Sequence, residues 1–242
     1  MSLYLPVPLS LPDLRGVIVD LDGTMVDTLG DFEAALNRML AELDLPPVSR
    51  ALVERTVGKG SEHLIRSVLK HQLALPGVHV QGRLGTGCTD ELIAQAWRIY
   101  QLHYLEISGA FSAVYPGVLV ALQQWQVSGL QMACLTNKPL DFARPLLKAK
   151  GLDGFFAQVF GGDSFERKKP DPLPLHKTCE ALGTRAAQTL MVGDSENDGL
   201  AARAAGCPVV LVSYGYNHGR PIREVDADGY VDSLAELAFA TL

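Results

Sequence analysis

The sequence predicts an α/β protein with a doubly wound, mostly parallel sheet, a Rossmann-like core, and a helical module inserted after the first strand. Short apolar segments bounded by turn residues recur along the chain, and such segments are typical of buried parallel strands. Helical patterns separate the later segments. After the first segment the alternation stops for about a hundred residues, far longer than an ordinary connection.

The strands of the sheet are predicted from their apolar runs and the helices from the spacing of apolar residues between them. The predicted strands are residues 16–21, 130–135, 158–160, 189–192, 208–212 and 229–231. The predicted helices of the sheet are residues 117–127, 140–150, 172–182 and 197–205.

The long interval after the first strand predicts a separate helical module. Residues 76–89 are rich in glycine and predict a loop within it. We therefore expect an α/β core formed by residues 1–27 and 110–242, with the helical module at residues 28–109. Apolar residues have helical spacing at residues 31–43, 61–73 and 90–107.

The composition is that of an ordinary globular protein and narrows its possible partners. The chain has 242 residues, 48% of them hydrophobic, which is enough to bury a large core. Its formal charge of −6 is spread along the chain without a basic block, so we expect no nucleic acid partner. No apolar run is long enough to span a membrane, so we expect no membrane partner. The 4 cysteines are widely spaced, which favours reduced thiols and a cytoplasmic location.

Polar motifs follow four of the predicted strands. The first is DLDGT, in which Asp20 and Asp22 point to the same face because side chains alternate along a strand. The others are TNK at residues 136–138, KKP at residues 168–170 and GDSEND at residues 193–198. The carboxyl ends of parallel strands meet at the edge of a sheet where ligands bind. Each motif alone also fits a turn, a cap or a surface loop, but their joint occurrence predicts one functional site.

The four motifs resemble those of the haloacid dehalogenase superfamily, whose signatures are DxDGT, a strand-end threonine or serine, Lys-Pro and GDxxxD. The helical module also resembles the cap of that superfamily, and we call residues 28–109 the cap. Two further stretches, VGKG at residues 57–60 and SYGYNHG at residues 213–219, resemble bacterial phosphoglycolate phosphatases. The resemblance implies hydrolysis of a small phosphorylated metabolite, first of all 2-phosphoglycolate to glycolate and phosphate.

The acids at the strand ends suit the hydrolysis of a phosphate monoester through an aspartyl-phosphate. A carboxylate nucleophile divides this very slow reaction into two steps. We expect Asp20 to be the nucleophile because it lies nearest the buried strand. Asp22 is then expected to protonate the leaving oxygen and later to deprotonate the attacking water.

Other residues of the motifs are expected to hold the phosphoryl oxygens. Lys169 and Thr136 would neutralise and bind these oxygens. Asn137 and the backbone N–H groups at Gly23 and Thr24 would assist them.

A divalent cation is expected among these acids. Two carboxylates about 4 Å apart repel by about 4 kcal/mol at an effective dielectric constant of about 20, and one lysine does not offset a cluster of acids and a phosphate. Mg²⁺ suits a site of few carboxylates, water and phosphate. The resemblance implies ligation by the Asp20 carboxylate, the Asp22 carbonyl and Asp194, with Asp198 outside the ligand set.

Substrate selection is expected from the cap. The glycine-flanked N–H groups of Gly58 and Gly60, with the ammonium of Lys59, would favour a small carboxylate. The alternative for this stretch is an exposed hinge turn with a solvated lysine.

Alternative functions remain open. A phosphatase of another sugar or amino-sugar phosphate, or a phosphomutase, has the same core motifs. A phosphoacceptor signalling domain also uses acids, threonine and lysine at parallel strand ends, but it is about half this length and has neither the second acid nor a cap. The sequence is compatible with a monomer or a homodimer.

Overall fold

In the computed structural model, which describes residues 13–78 and 88–239, six parallel strands form the central sheet in the order β5-β4-β1-β6-β7-β8. The strands are β1 (Gly16–Val19), β2 (Val26–Asp27), β3 (Ala113–Val114), β4 (Gln131–Leu135), β5 (Gln158–Phe160), β6 (Thr189–Gly193), β7 (Val209–Val212) and β8 (Gly229–Val231). The helices are α1 (Leu29–Glu42), α2 (Arg50–Thr56), α3 (Ser61–Leu73), α4 (Asp90–Ile107), α5 (Val118–Val127), α6 (Leu140–Ala149), α7 (Leu173–Leu182) and α8 (Glu196–Ala205). Short 3₁₀ turns occur at Asp153–Phe155, Ala186–Gln188, Ile222–Glu224 and Leu234–Glu236.

The central strand β1 is buried on both faces, which explains its continuous apolar sequence. Its Val17 and Val19 pack in one cluster with residues of α5 and α6. Ile18, which points the other way, packs in a second cluster with residues of α7 and α8. The helices therefore cover both faces of a parallel sheet, and the predicted fold class is confirmed.

The chain leaves the core after β2 and returns through β3, and these two short strands pair antiparallel to each other. Val26 lies opposite Val114, and Asp27 lies opposite Ala113. Helices α1 to α4 lie between the two strands in the chain. They share a buried apolar cluster that also includes Phe142 of α6, so the cap packs against the core.

The observed elements differ from the predicted ones mainly at their ends and in their shortest members. The first strand ends at Val19, and α1 already begins at Leu29. The helix α2 and the pair of β2 and β3 were not predicted, because elements of 7 and 2 residues carry little periodicity. Most of the loop predicted at residues 76–89 falls on residues 79–87 and lies outside the described residues. None of the described helices combines the length and apolar character needed to cross a bilayer.

Candidate active site

A cavity at the carboxyl edge of the sheet brings together residues from all four motifs and from the cap. From the motifs it is lined by Asp20, Asp22, Thr136, Asn137, Lys169 and Asp198, and from the cap by Gly58 and Gly60. The predicted convergence of these residues at one edge of the sheet is therefore what the structure shows. Four of the predicted site residues, Gly23, Thr24, Lys59 and Asp194, are not among the described residues that line the cavity, although Asp194 offers an oxygen within 4.8 Å of those of Asp20 and Asp198.

The buried ammonium of Lys169 connects two of the acids. Its Nζ lies 3.1 Å from Oδ1 of Asp20 and 2.7 Å from Oδ1 of Asp198, and it donates to the carbonyl of Leu135 at 2.7 Å. Burial alone would lower the pKa of Lys169, but the charges of Asp198 and Asp20 raise it above its ordinary value. Lys169 therefore stays a cation in the site.

Asp198 is held by protein donors on both of its carboxylate oxygens. Oδ1 accepts from Lys169, and Oδ2 accepts from the backbone N–H groups of Asp194 and Ser195 and from the Ser195 hydroxyl. Ser195 and Asp198 form the capping box that begins α8. This carboxylate consequently positions Lys169 and the turn that carries Asp194.

Asp194 and Asp20 have oxygens that protein donors do not fully use. Asp194 accepts from the Tyr216 N–H at 2.6 Å and more weakly from the Thr24 hydroxyl at 3.3 Å. Oδ1 of Asp20 is buried and accepts no hydrogen bond of good geometry, although Lys169 is near. These two acids are therefore the ones available to a further positive charge.

Burial shifts the pKa values of both Asp20 and Asp194. Burial raises the pKa of Asp20 to about 7 despite the opposing charge of Lys169, and Asp198 and Asp22 add to the rise. Burial, with the charges of Asp198 and Asp20, also raises the pKa of Asp194 well above its ordinary value. The ionised forms of Asp20 and Asp194 are therefore disfavoured unless a further positive charge lies beside them.

The donor set fits a hard divalent cation. Asp20, Asp194 and Asp198 each offer an oxygen, and these oxygens lie within 4.8 Å of one another. Because Asp198 is committed to protein donors, Asp20 and Asp194 are the carboxylates that suit Mg²⁺.

Gly23 and Thr24 contact Asp194 instead of the cavity. Gly23 has a φ of +83°, and a Cβ there would lie 2.1 Å from Oδ2 of Asp194. Thr24 is buried and donates its hydroxyl to Asp194. The DGT part of the first motif therefore packs against the carboxylate of the fourth motif.

Asp22 is held by a lysine for which the sequence predicted no role. Lys138 Nζ lies 2.8 and 3.0 Å from the two carboxylate oxygens of Asp22, and the Thr28 hydroxyl donates to Asp22 at 2.8 Å. The same ammonium lies 4.2 Å from the ring centroid of Phe32 and 4.8 Å from that of Tyr104, both from the cap. Lys138 is the last residue of the TNK motif. Its position two residues after Thr136 was the sequence signal that could have placed it in the site.

Core side chains hold the cap loop at Gly58 and Lys59. The carbonyl of Gly58 accepts from the side-chain amides of Asn137 at 3.1 Å and Asn197 at 3.2 Å. The carbonyl of Lys59 accepts from Lys168 Nζ at 2.8 Å, whereas the Lys59 residue is exposed. Asn197 was not predicted, although it lies within the GDSEND motif.

Asp27, just before α1, lies at the edge of this region. It accepts from the N–H of Leu29, the first residue of α1, at 3.2 Å, whereas the N-cap residue of this helix is Thr28. It also contacts the hydroxyl of Tyr216, whose backbone N–H holds Asp194. The loop after β7 therefore connects Asp194 with the start of the cap.

Known proteins with similar sequences and structures cover nearly the whole chain. The family model for haloacid dehalogenase-like hydrolases matches residues 17–212. The phosphoglycolate phosphatase of Thiobacillus denitrificans is 43% identical over 225 residues, which are 93% of this chain and 94% of that protein. The crystal structure of a predicted phosphoglycolate phosphatase from Haemophilus somnus superposes with a TM-score of 0.86 at 32% identity, covering 93% of this chain and 96% of that one.

A more distant structure shares the fold alone. CbbY from Rhodobacter sphaeroides, solved in complex with phosphate, has a TM-score of 0.76 at 22% identity over 93% of this chain and 96% of its own. The residues that the family model matches include all four motifs. The chain belongs to the haloacid dehalogenase-like hydrolase family.

Proposed function

We propose that this protein is a Mg²⁺-dependent phosphomonoesterase that hydrolyses a small phosphorylated acid, most directly 2-phosphoglycolate, through an aspartyl-phosphate on Asp20. The convergence of Asp20, Asp22, Thr136, Lys169 and Asp194 at one sheet edge carries this proposal. The names of the sequence relatives support 2-phosphoglycolate as the substrate.

In the first step, a carboxylate oxygen of Asp20 attacks phosphorus while Lys169 and Thr136 bind the transferring oxygens. Asp22 gives a proton to the leaving oxygen of the ester. In the second step, Asp22 takes a proton from water, which attacks the aspartyl-phosphate and releases phosphate.

A magnesium ion would be held by the carboxylates of Asp20 and Asp194 and by the carbonyl of Asp22. When bound, it would supply positive charge against the phosphoryl oxygens and between the acids. Asp198 keeps Lys169 and the Asp194 turn in place. Gly23 and Thr24 act on the site through Asp194, which they contact directly.

Residues 28–109 are proposed to act as a cap that closes the site and excludes water. Its contribution to the cavity wall supports this division, because Phe32, Val57, Gly60, Ser61 and Leu64 line the cavity. A cytoplasmic location and a monomeric or homodimeric state complete the proposal. The unpaired cysteines support the location.

Phosphate release from a substrate panel tests this function. The purified protein is incubated with 2-phosphoglycolate, sugar phosphates and amino-sugar phosphates, with Mg²⁺ or with EDTA. We expect release of phosphate that is fastest from 2-phosphoglycolate and is lost in EDTA. Return of the phosphate to another position of the substrate would indicate a mutase, and a long-lived aspartyl-phosphate would indicate a phosphoacceptor domain.

A further inference from the structure

The ammonium of Lys138 lies in the active-site cavity and differs from Lys169 in how its hydrogen bonds are used. The Lys169 ammonium donates to Asp198 and to the Leu135 carbonyl, and it lies 3.1 Å from Oδ1 of Asp20 as an ion pair. Among the described residues, Asp22 supplies the only oxygens that hydrogen-bond to the Lys138 ammonium. The Lys138 side chain is 1% exposed, so this charge has been removed from water for an interaction inside the cavity.

The surroundings of Lys138 place its charge beside the phosphoryl-binding groups. Its backbone N–H donates to the Thr136 hydroxyl at 3.2 Å, and both residues line the cavity. Across the cavity, the cap contributes the apolar side chains of Phe32, Val57 and Leu64. An anion is stabilised strongly in such a place, because few waters screen it from the ammonium.

The pairing of Lys138 with Asp22 raises a question of mechanism. Asp22 is proposed to reach the leaving oxygen, but the structure holds its carboxylate with Lys138 and Thr28. A second anion that takes over the ammonium would free Asp22 for this task. The carboxylate of a phosphorylated acid, one carbon away from the ester oxygen, is such an anion.

We propose that Lys138 is the specificity-determining residue that binds the carboxylate of the substrate and, on doing so, releases Asp22. This inference rests on the proposed phosphatase function. It assigns the recognition of the acid to a lysine of the core, whereas Lys59 of the cap is exposed and its carbonyl is held by Lys168. The preferred substrates are therefore small phosphate esters with a neighbouring carboxylate.

A matched pair of esters tests the assignment. 2-Phosphoglycolate carries the carboxylate, and 2-hydroxyethyl phosphate has an uncharged hydroxyl group in its place. We expect Lys138→Met to lower kcat/KM for 2-phosphoglycolate by roughly 10- to 100-fold, as for the loss of one hydrogen bond to a charged group. For 2-hydroxyethyl phosphate, kcat/KM should not fall, because no carboxylate is recognised there and the removal of Lys138 also releases Asp22.

The control variants separate charge from fold. Lys138→Arg should keep most of the preference for 2-phosphoglycolate. Lys148→Met removes an exposed lysine of α6 and should leave kcat/KM for both esters unchanged. Thermal unfolding of each variant shows whether it is folded. The proposal is overturned if Lys138→Met lowers kcat/KM equally for both esters. It is also overturned if this variant still prefers 2-phosphoglycolate as strongly as the unaltered protein does.

A binding measurement keeps the inference separate from the proposed function. Binding of 2-phosphoglycolate to Asp20→Asn protein is measured by calorimetry, with and without Lys138→Met, and we expect affinity to fall by roughly tenfold or more. Unchanged affinity overturns the role of Lys138. Absence of phosphate release from both esters by the unaltered protein with Mg²⁺ would instead refute the phosphatase.

Discussion

Asp20 combines burial, a nearby ammonium and an oxygen that accepts no hydrogen bond of good geometry, and the proposed chemistry starts at this side chain. Asp20→Asn removes the nucleophile and keeps the shape, so we expect phosphate release to fall on the order of 10³-fold or more. The measurement is phosphate release from 2-phosphoglycolate with Mg²⁺. Asp141→Asn, in the exposed first turn of α6, is the matched control and should have normal activity. Substantial turnover by the Asp20 variant would contradict the assigned nucleophile.

The raised pKa of Asp20 predicts how the stability of the metal-free protein depends on pH. Burial raises this pKa from 3.8 to about 7, so the folded state keeps a proton that the unfolded state has lost. This contribution to the free energy of unfolding is fully present at pH values below the ordinary pKa of 3.8 and is lost as the pH rises through about 7. The raised pKa of Asp194 acts in the same direction.

Thermal unfolding in EDTA checks this expectation. The Tm of the unaltered protein should fall between pH 5 and pH 8, and the fall should be smaller for Asp20→Asn. Added Mg²⁺ should raise the Tm more at pH 8, where the ligands are ionised, than at pH 5. The same pH dependence in both proteins would argue against a raised pKa of Asp20.

At the scale of the element, α1 is tied to the returning chain by one buried acid. Asp31 is 0% exposed, and its two carboxylate oxygens accept from the backbone N–H groups of Gly109 at 2.8 Å and Phe111 at 2.7 Å. Asp31→Ala leaves both N–H groups without this partner, which we expect to lower the free energy of unfolding by roughly 2–4 kcal/mol.

Urea denaturation measures this loss. Asp31→Asn keeps one acceptor oxygen and should lose less stability than Asp31→Ala. Asp141→Asn, also in the first turn of a helix but exposed, should unfold at nearly the normal urea concentration. Equal stability of Asp31→Ala and the unaltered protein would show that the two hydrogen bonds contribute nothing.

The strands and most helices could be predicted because their signals are local. The apolar run at β1 is continuous since both of its faces are buried, and α3 and α4 show helical spacing over 13 and 18 residues. The four motifs could be brought together because parallel strands end at one edge. Local patterns do not encode long-range partners, so the contact of Lys138 with Asp22 and that of Asp31 with Gly109 could not be predicted.

At the scale of the whole molecule, the core holds the cap loop through the carbonyls of Gly58 and Lys59. Lys168→Met removes the donor to Lys59 without touching the cavity that Asp20 lines. We expect KM for 2-phosphoglycolate to rise by roughly 2- to 10-fold with kcat nearly unchanged, because closing the cap then gains one hydrogen bond less.

Steady-state kinetics with Lys168→Met and Lys148→Met test this coupling. The second variant removes an exposed lysine from α6 and serves as the matched control. An unaltered KM in the Lys168 variant would mean that this contact does not help to close the cap. A loss confined to kcat would place the effect on the chemical steps.

The pairing of β2 with β3 has a consequence for how such enzymes can diversify. Asp27 and Ala113 are partners in one antiparallel ladder, where opposite Cα atoms lie about 4.5–5.5 Å apart. The chain between Asp27 and Ala113 therefore leaves the core and returns to it at neighbouring positions. Evolution can replace the inserted segment at these two positions without changing the six-stranded sheet or the order of its acidic residues. Relatives with different inserts can then select different metabolites with the same catalytic residues.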